Sequence, residues 1–598
     1  MFFFLAERGL LHSNKVADTD ASEVYMTAEN DHVRAETAES GTAAGIGIRV
    51  KRMFRSWNFW IALALVVAAV FRFWQLDMLP TGYNNDEMGT AYDAWSLLNY
   101  GVDRYRNSWP VYLTNYGDGQ SVLYGYMMVA CFAIFGYGKL AIRLPAAINS
   151  MLLGFGGIGV IGLAWNDGWK VRKEVPQLLF AILYAISPYV QMSARIGLDC
   201  NAMLGWSTLF LYTFLLAIRK SELNSRFRIL YYILSGIVGG ITLYSYAITY
   251  LVLPLFLLIS LIYAVLCGKI RWNRNREAAA VTVMEVIAFA VPLVLLAVPL
   301  MLVQYVNITG SESFKLFGIF TITRLSWYRS GEFTFSNMLN NLILTIKSAV
   351  FHDGLDYNTS EQFWTFYPMS VPFFFVGWVV SFLRAGRSLK RRCFDPYVLP
   401  VLWFCAQLFV CCLLGEEGSS ANPNANKVNG IFFTVMLYIV TGYVFCFRNL
   451  KKIRWKKVLA CVLAASYLAM SAWFMNYFFT EYRPTRYWRD TFGEVIEFIE
   501  EDPILSQKDT LIQTNWMDTN YIYFLNSALP SPYDVDVANK DFGSYYTDIW
   551  DFEEYVEVIY GYGANYLVYQ CAEELTKYFA DKGFEVIVFG NYSLFCYR

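Results

Sequence analysis

Long apolar runs separated by short polar segments make up most of this chain. A helix needs about 20 apolar residues to cross a bilayer core roughly 30 Å thick, and many of the runs approach or reach that length. The pattern therefore predicts an α-helical polytopic membrane protein with about eleven transmembrane helices. The predicted spans are 57–76, 140–164, 177–194, 202–218, 229–247, 250–267, 280–304, 367–384, 396–414, 430–447 and 458–479.

Basic residues in the connecting segments orient the spans, because cytoplasmic loops carry an excess of Lys and Arg. With the N-terminus in the cytoplasm, five connections fall on that side, and each is basic: "DGWKVRKE", "RKSELNSRFR", "GKIRWNRNRE", "RAGRSLKRR" and "FRNLKKIRWKK". A further apolar run at 122–135 would rise only about 21 Å as a helix. Counting it as a span would put the first basic connection outside, so we predict a helix in the outer interface there.

This topology divides the chain into three predicted parts. Residues 1–50 are polar and lack periodicity, which indicates a disordered cytoplasmic tail. Residues 51–479 form the transmembrane domain, with exoplasmic loops at 77–139 and 305–366. In residues 480–598 helical and strand patterns alternate, which predicts a small exoplasmic α/β domain. We expect a multi-pass protein of the cell membrane with an extracellular C-terminal domain.

Composition supports a membrane protein and excludes several other classes. Charged residues make up 16% of the chain and hydrophobic residues 56%, whereas soluble domains carry about 25% charged residues. The net charge of −1 gives no indication of nucleic-acid binding. The 11 Cys form no C-x-x-C pair, and with three His they indicate no zinc site. Cys571 and Cys596 lie in the polar tail, and the sequence leaves their pairing open.

Two adjacent acids, Asp86 and Glu87, follow the first span closely. In one interpretation they only begin a helix, where carboxylates favour the N-terminal dipole. That helix carries Ala91, Trp95 and Leu98 at helical spacing, so we expect it to lie flat on the membrane. In the other interpretation the acids meet a lipid-linked phosphate head group at the bilayer surface.

Further polar residues cluster on the same predicted side of the membrane. Each group has an ordinary structural interpretation as well: a turn, a snorkelling side chain, a salt bridge between Arg195 and Asp199 at a helix end, or a solvated loop. Their joint placement in the outer loops nevertheless favours a common site. The candidates are Asp118, Gln120, Arg143, Arg195, Asp199, Asn201, Asn426, Lys427 and Asn429.

These segments resemble the GT-C glycosyltransferases of the protein O-mannosyltransferase and aminoarabinose transferase type. Within that type, the prokaryotic subgroup similar to dolichyl-phosphate-mannose-protein mannosyltransferases fits best. The resemblance covers roughly 57–445 and is strongest over 82–201. It rests on "YNNDEMGTAYDA", "YGVDRYRNSWPVY", "GDGQSVLYGY", "FGYGKLAIRLPAAI", "ISPYVQMSARIGLDCN" and "NPNANKVNGIFF".

The resemblance implies a GT-C-like membrane glycosyltransferase that takes a sugar from a polyprenyl-phosphate donor. The acceptor would be a protein hydroxyl, a cell-wall polymer or a lipid glycan. Asp86 would be the general base and Glu87 its catalytic neighbour, while Arg143, Arg195 and Lys427 would bind the donor phosphate. The remaining candidates would support the site. Asp199 and Lys427 depart from the family pattern, which favours Glu and Arg at these positions.

The resemblance implies no cofactor, and a divalent cation stays open. A transporter or flippase of lipid-linked saccharides is the main alternative, but transporters place ionisable residues near the bilayer midplane. The spans here are nearly free of charge, with Glu285 the clearest exception. A non-catalytic scaffold is a third possibility, although it would not require acids beside the first span.

Overall fold

The computed structural model is mainly helical, with small sheets on the predicted outer side. It describes residues 56–115, 118–270, 276–326, 335–351, 358–414, 423–482, 491–513, 520–539, 541–549, 559, 563–569 and 571–597. The predicted disordered tail at 1–50 lies outside these ranges.

Apolar helices occur at all eleven predicted spans. Within the described ranges, seven helices are long and apolar enough to cross a membrane, so the protein is a polytopic helical membrane protein. The other four predicted spans coincide with shorter apolar helices at Trp57–Phe73, Glu174–Ile186, Arg228–Leu243 and Val398–Cys412. The prediction for 177–194 was too long, since that helix ends at Ile186 and a second begins at Pro188.

The elements are numbered in chain order. The helices are α1 Trp57–Phe73, α2 Asn85–Tyr100, α3 Val122–Phe135, α4 Lys139–Ala164, α5 Glu174–Ile186, α6 Pro188–Ser193, α7 Cys200–Glu222, α8 Arg228–Leu243, α9 Thr249–Leu266, α10 Arg276–Thr309, α11 Met338–Val350, α12 Val371–Arg391, α13 Val398–Cys412, α14 Phe432–Asn449, α15 Ile453–Asn476, α16 Thr491–Glu501, α17 Asn520–Ala528 and α18 Glu573–Asp581. The strands are β1 Leu113–Asn115, β2 Asp118–Gln120, β3 Phe314–Leu316, β4 Phe320–Ile322, β5 Thr510–Gln513, β6 Tyr545–Ile549, β7 Asn565–Tyr569, β8 Glu585–Phe589 and β9 Tyr592–Cys596.

Glycines bring the backbones of α12 and α14 into direct contact. A Cβ added at Gly377 would lie 1.7 Å from the Tyr438 carbonyl oxygen, and one at Gly442 would lie 2.0 Å from that of Phe373. Small residues permit such close approach between membrane helices, where packing rather than the hydrophobic effect drives association. These two positions therefore fix the α12–α14 pair.

A buried arginine that the sequence analysis overlooked joins three helices. Arg72, in the last turn of α1, has no exposed surface. Its guanidinium donates to Ser150 Oγ of α4 at 2.8 Å and to the Tyr184 carbonyl of α5 at 2.9 Å, and it lies 4.1 Å from the centroid of the Tyr184 ring. Arg72 is a structural tie, because its donors bond to neighbouring helices.

Helix α2 does not lie flat on a membrane surface, contrary to the prediction. Its residues from Glu87 to Ala94 are all buried inside the protein. Asn84 begins the helix with a capping box, in which its side chain and that of Glu87 bond the backbone amides at the start. The helix is enclosed because α3 and the C-terminal domain pack against it.

The C-terminal region contains the predicted α/β structure. Its mixed five-stranded sheet has the order β6-β5-β7-β9-β8, in which β5 pairs parallel with β6 and β7 and the last hairpin is antiparallel. Helices α16 and α17 pack on this sheet and meet α2 in one hydrophobic cluster. Cys571 and Cys596 are free thiols, and Cys596 is buried in β9.

Candidate active site

Helix α2 presents three faces to three different parts of the protein. Asn85, Met88 and Tyr92 face the C-terminal domain, where Tyr92 Oη donates to the Pro530 carbonyl oxygen at 2.7 Å. Glu87 faces α4, whereas Asp86 faces the β1–β2 hairpin. Adjacent helical residues point about 100° apart because a turn contains 3.6 residues. The two acids of the pair therefore lie in different environments.

Asp86 is the half-buried acid of the pair. Its Oδ1 accepts a hydrogen bond from Asn115 Nδ2 at 3.1 Å, and its amide nitrogen donates to Asn84 Oδ1 at 3.0 Å. The carboxylate lies close enough to the Cys200 thiol, at the start of α7, to act on it electrostatically, as does the carboxylate of Asp199. The structure thus brings Asp86 and Asp199 to the same place.

Glu87 has no exposed surface and is bonded on both oxygens. Oε1 accepts from Arg143 Nε at 2.9 Å and from the Gly197 amide at 3.0 Å. Oε2 accepts from Arg143 Nη2 at 3.3 Å and from the Asn84 amide at 3.2 Å. This carboxylate ties α2, α4 and the 194–199 segment together, so its contacts support a positioning role.

Arg143 and Arg195 are both buried, and their donors bond to the protein itself. Arg143 donates to the carbonyl oxygens of Pro80 and Gly82 at 2.7 Å each, besides its bonds to Glu87. Arg195 donates to the carbonyl oxygens of Phe71, Arg72, Gln75 and Leu79 around the end of α1, and it does not form the alternative salt bridge to Asp199. Their predicted phosphate-binding roles stay predictions.

Asp199 and Gln120 lie around the start of α7 and the β1–β2 hairpin. Asp199 caps α7, since Oδ1 accepts from the Cys200 amide at 2.7 Å, while Oδ2 accepts from the Ser121 amide at 3.2 Å. Gln120 Oε1 accepts from Thr90 Oγ1 of α2 at 3.0 Å. Asp118 pairs with Asn115 in the hairpin, next to the residue that bonds Asp86.

Four asparagines form a cluster of hydrogen-bonded amides beside α7. Asn358 donates to the Oδ1 atoms of Asn201 and Asn426 at 2.8 and 2.9 Å. Asn429 donates to the Cys200 carbonyl oxygen at 2.8 Å and accepts from Tyr189 Oη at 2.8 Å. The cluster joins the second predicted outer loop and the start of α7 to the 424–429 segment, which also carries Lys427.

Sequence reasoning missed Asn358 and Asn115. Asn358 lies between the recognised segments in the 305–366 loop, whose sequence offers no motif around it. Asn115 lies two residues before the first glycine of the quoted "GDGQ" turn, and a hairpin prediction there would have placed it opposite Asp118. Lys427 is 8% exposed and its amide nitrogen donates to Asn424 Oδ1 at 3.1 Å.

A buried carboxyl with a raised pKa lies next to α2. Burial, together with the negative charge of Asp93, raises the pKa of Asp103 to about 7, although hydrogen bonds from Asn107 and Tyr105 oppose the shift. Asp93 itself forms a bidentate ion pair with Arg104, at 2.9 and 2.7 Å, and both side chains are buried. Arg104 of this network lies close to Asn115, because a Cβ added at Gly89 would meet both side chains.

The described residues of the site do not form a group with metal-ligand geometry. Among the residues for which the structure gives positions, no group of three or more His, Cys, Asp or Glu could hold a metal ion. The carboxylates of Asp86 and Asp199 are the acids near the Cys200 thiol. The site's described chemistry is thus carboxylates among amide and hydroxyl groups.

No protein-family model matches the sequence, and no curated protein matches it. Among solved structures, the chain is similar to apo ArnT from Cupriavidus metallidurans, at 11% identity and a TM-score of 0.48, over 90% of this chain and 97% of that one. ArnT is an aminoarabinose transferase, one of the types that the sequence resembles. A second ArnT structure, bound to undecaprenyl phosphate, matches at 14% identity and a TM-score of 0.46, with the same coverage.

The apo oligosaccharyltransferase of Archaeoglobus fulgidus is also similar. It matches at 13% identity and a TM-score of 0.48, over 79% of this chain. The chain spans 64% of the length of that protein. At such identities and TM-scores these likenesses do not assign a function to this chain.

Proposed function

We propose that this protein is a membrane glycosyltransferase that moves a sugar from a polyprenyl-phosphate donor to an acceptor on the exoplasmic side. The observation that supports this proposal most directly is that the two adjacent acids lie in different environments. Glu87 is buried and bonded on both oxygens, whereas Asp86 is half-buried among polar groups from several segments. The resemblance of these segments to GT-C glycosyltransferases supports the sugar chemistry.

Asp86 is the general base in this proposal. An acceptor hydroxyl attacks the anomeric carbon of the donor sugar while its proton passes to the Asp86 carboxylate. The bond between the anomeric carbon and the phosphate oxygen breaks, and the electron pair leaves with the polyprenyl phosphate. Asn115 orients the base, because its side-chain amide donates a hydrogen bond to Oδ1 of Asp86 at 3.1 Å.

Lys427 is the cation that we assign to the leaving phosphate. The guanidinium groups of Arg143 and Arg195 bond to Glu87 and to carbonyl oxygens. We therefore assign them a positioning role, in which they hold α1 and α2 in place. Lys427 lies in the segment that carries Asn426 and Asn429, and Asn429 bonds to Cys200 next to the acids of the site. A cation there neutralises the charge that develops on the phosphate in the transition state. The acceptor and the sugar stay open to protein, polymer and lipid glycans.

The transporter alternative is not favoured by the buried charges of the spans. Glu285 accepts from Ser221 Oγ at 2.6 Å and lies 3.6 Å from Arg228, near the predicted cytoplasmic end. Arg72 bonds to Ser150 and Tyr184 near the other end. Both groups hold helices together, and neither lines a midplane site of the kind that transporters use.

An assay with the purified protein in proteoliposomes distinguishes a glycosyltransferase from a transporter. With a panel of labelled polyprenyl-phosphate sugars and membrane extract as acceptor source, a glycosyltransferase moves the label from lipid to acceptor and releases polyprenyl phosphate. A transporter moves the intact donor between leaflets and leaves the sugar–phosphate bond whole. Leaflet exchange with no bond cleavage for any donor would overturn the proposal.

A further inference from the structure

A cleft separates the C-terminal domain from the first predicted outer loop, on the far side of α2 from Asp86. Its volume is about 1070 Å³, slightly above the range of roughly 300–1,000 Å³ that is typical of ligand sites. Tyr83, Met88, Tyr137 and Lys139 line one wall, whereas residues of α16 and α17 line the other. The site proposed above does not use this cleft, since Asp86 faces the β1–β2 hairpin.

Aromatic rings line the cleft from both sides, with hydrogen-bonding groups between them. Tyr83 and Tyr137 belong to the loop wall, and Phe524 and Tyr545 to the opposite wall. Such side chains offer flat apolar faces with polar edges. Ser527 and several carboxylates add acceptors and a donor for hydroxyl groups. This combination suits a ligand with apolar faces and many hydroxyls.

The charge of the lining selects against anions. Four carboxyl groups line the cleft, and one ammonium group, that of Lys139, accompanies them. Lys139 Nζ lies 4.5 Å from the centroid of the Tyr83 ring, so a cation–π contact already engages it. A phosphate or a uronic acid would meet net like charge here. The acidic lining residues are Asp77, Glu497, Glu500 and Asp534.

We propose that this cleft binds an uncharged, hydroxyl-rich oligosaccharide. As an acceptor site it rests on the proposed function, and the occupant is then the part of a glycan acceptor remote from the reacting hydroxyl. A glycan from a surface polymer and one carried on a protein share this chemistry.

Helix α2, which carries the proposed base, forms part of one wall of the cleft. Tyr523 Oη donates to Asn85 Oδ1, and Asn526 Nδ2 donates to the Met88 carbonyl oxygen at 3.0 Å. These contacts flank Asp86 on either side in sequence. Saccharide binding between the two walls therefore acts on the first turn of α2, and binding energy from a remote part of the substrate is available to orient the base.

The test is a binding measurement on the full-length protein in nanodiscs. The probes are labelled tetrasaccharides of glucose, mannose, galactose and N-acetylglucosamine, an oligogalacturonate as the anionic counterpart, and an uncharged peptide of similar size. We expect at least one neutral tetrasaccharide to bind, and Glu497→Lys and Ser527→Trp to weaken its binding at least tenfold. Glu494→Lys is the matched control, because Glu494 is exposed on the same helix and does not line the cleft.

Several outcomes would overturn the proposal. They are no binding of any neutral tetrasaccharide, tighter binding of the oligogalacturonate or of the peptide, or equal weakening by Glu494→Lys and Glu497→Lys. Asp86→Asn separates this site from the catalytic one, since it should bind saccharide like the unmodified protein. Binding that persists in a protein unable to transfer any sugar would leave the cleft standing while the proposed function fails. Sugar transfer by a protein that binds no saccharide in the cleft would support the proposed function and overturn the proposal for the cleft.

Discussion

Glu87 Oε1 lies 2.9 Å from Arg143 Nε, and neither side chain has any exposed surface. A buried ion pair of this kind contributes little when compared with an apolar pair, yet loss of one partner leaves a buried charge uncompensated. The acid next to the proposed base thus holds α2 against α4. Of these two adjacent residues, Glu87 stabilises the packing of α2, and Asp86 has the proposed chemical role.

The Glu87→Gln variant should be less stable because it leaves Arg143 buried without its counter-charge. We expect a loss on the order of 3–5 kcal/mol, seen as a lower thermal unfolding midpoint in detergent. The double variant Glu87→Gln, Arg143→Met removes both charges and should recover a large part of that midpoint. A double variant as unstable as the single one would contradict the role of the ion pair.

Gly89→Ala should reduce transfer without weakening the helix. A Cβ at Gly89 would lie 2.8 Å from Asn115 Oδ1 and 2.9 Å from Arg104 Nη2, so the Asn115 side chain, which bonds Asp86, must move. Alanine otherwise favours a helix by about 1 kcal/mol over glycine. The matched control is Gly386→Ala in α12, where no atom lies within 4 Å of the new Cβ. Equal transfer rates for the two variants would show that the Asn115 contact is dispensable.

Ionisation of Asp103 should lower stability as pH rises. Its pKa is raised from 3.8 to about 7 in the folded protein, so the folded state binds more protons than the unfolded state between these values. Stability then falls as pH rises from about 4 to 7 and levels off above 7. Asp103→Asn should flatten this part of the pH profile of the unfolding midpoint. An unchanged profile in the variant would assign the pH dependence to other groups.

Lys427→Gln should weaken donor use without unfolding the protein. Loss of one charge-assisted hydrogen bond costs about 1.5–3 kcal/mol, which corresponds to roughly 10- to 150-fold in kcat/KM. Arg195→Gln should instead lower the unfolding midpoint, since its guanidinium holds four carbonyl oxygens at the end of α1. Normal kcat/KM for the donor in Lys427→Gln would remove this residue from the site.

Local patterns in the sequence were sufficient to predict the helices but not their partners. Apolar length predicted helices at all eleven spans, and alternation predicted the C-terminal sheet. The α11 helix inside the 305–366 loop was missed, because its 13 residues are too short to register as a span. Helix α2 was expected at a membrane surface, since its sequence does not show that a domain more than 400 residues later covers it.

The sequence indicated which residues lie near one another at the candidate site, but not how their environments differ. Asp86, Asp199 and Asn429 of the late loop lie around Cys200, whereas Glu87 faces α4. The distinction between Asp86 and Glu87 depends on Arg143, 56 residues away, and on the amide of Gly197. Such contacts follow from the packing of helices, which no short sequence segment specifies.

Sugar transfer by Asp86→Asn tests the central claim most directly. The substitution keeps the size and hydrogen bonding of the side chain but removes the proton acceptor, and general base catalysis is worth roughly 10²–10⁴-fold. The measurement is kcat for transfer from a synthetic polyprenyl-phosphate sugar by purified protein, with donor binding measured in parallel. Glu361→Gln, an exposed acid of the second predicted outer loop, is the control. We expect kcat to fall about 10²–10⁴-fold with donor binding unchanged; near-normal kcat in a folded Asp86→Asn protein would contradict the assignment of the base.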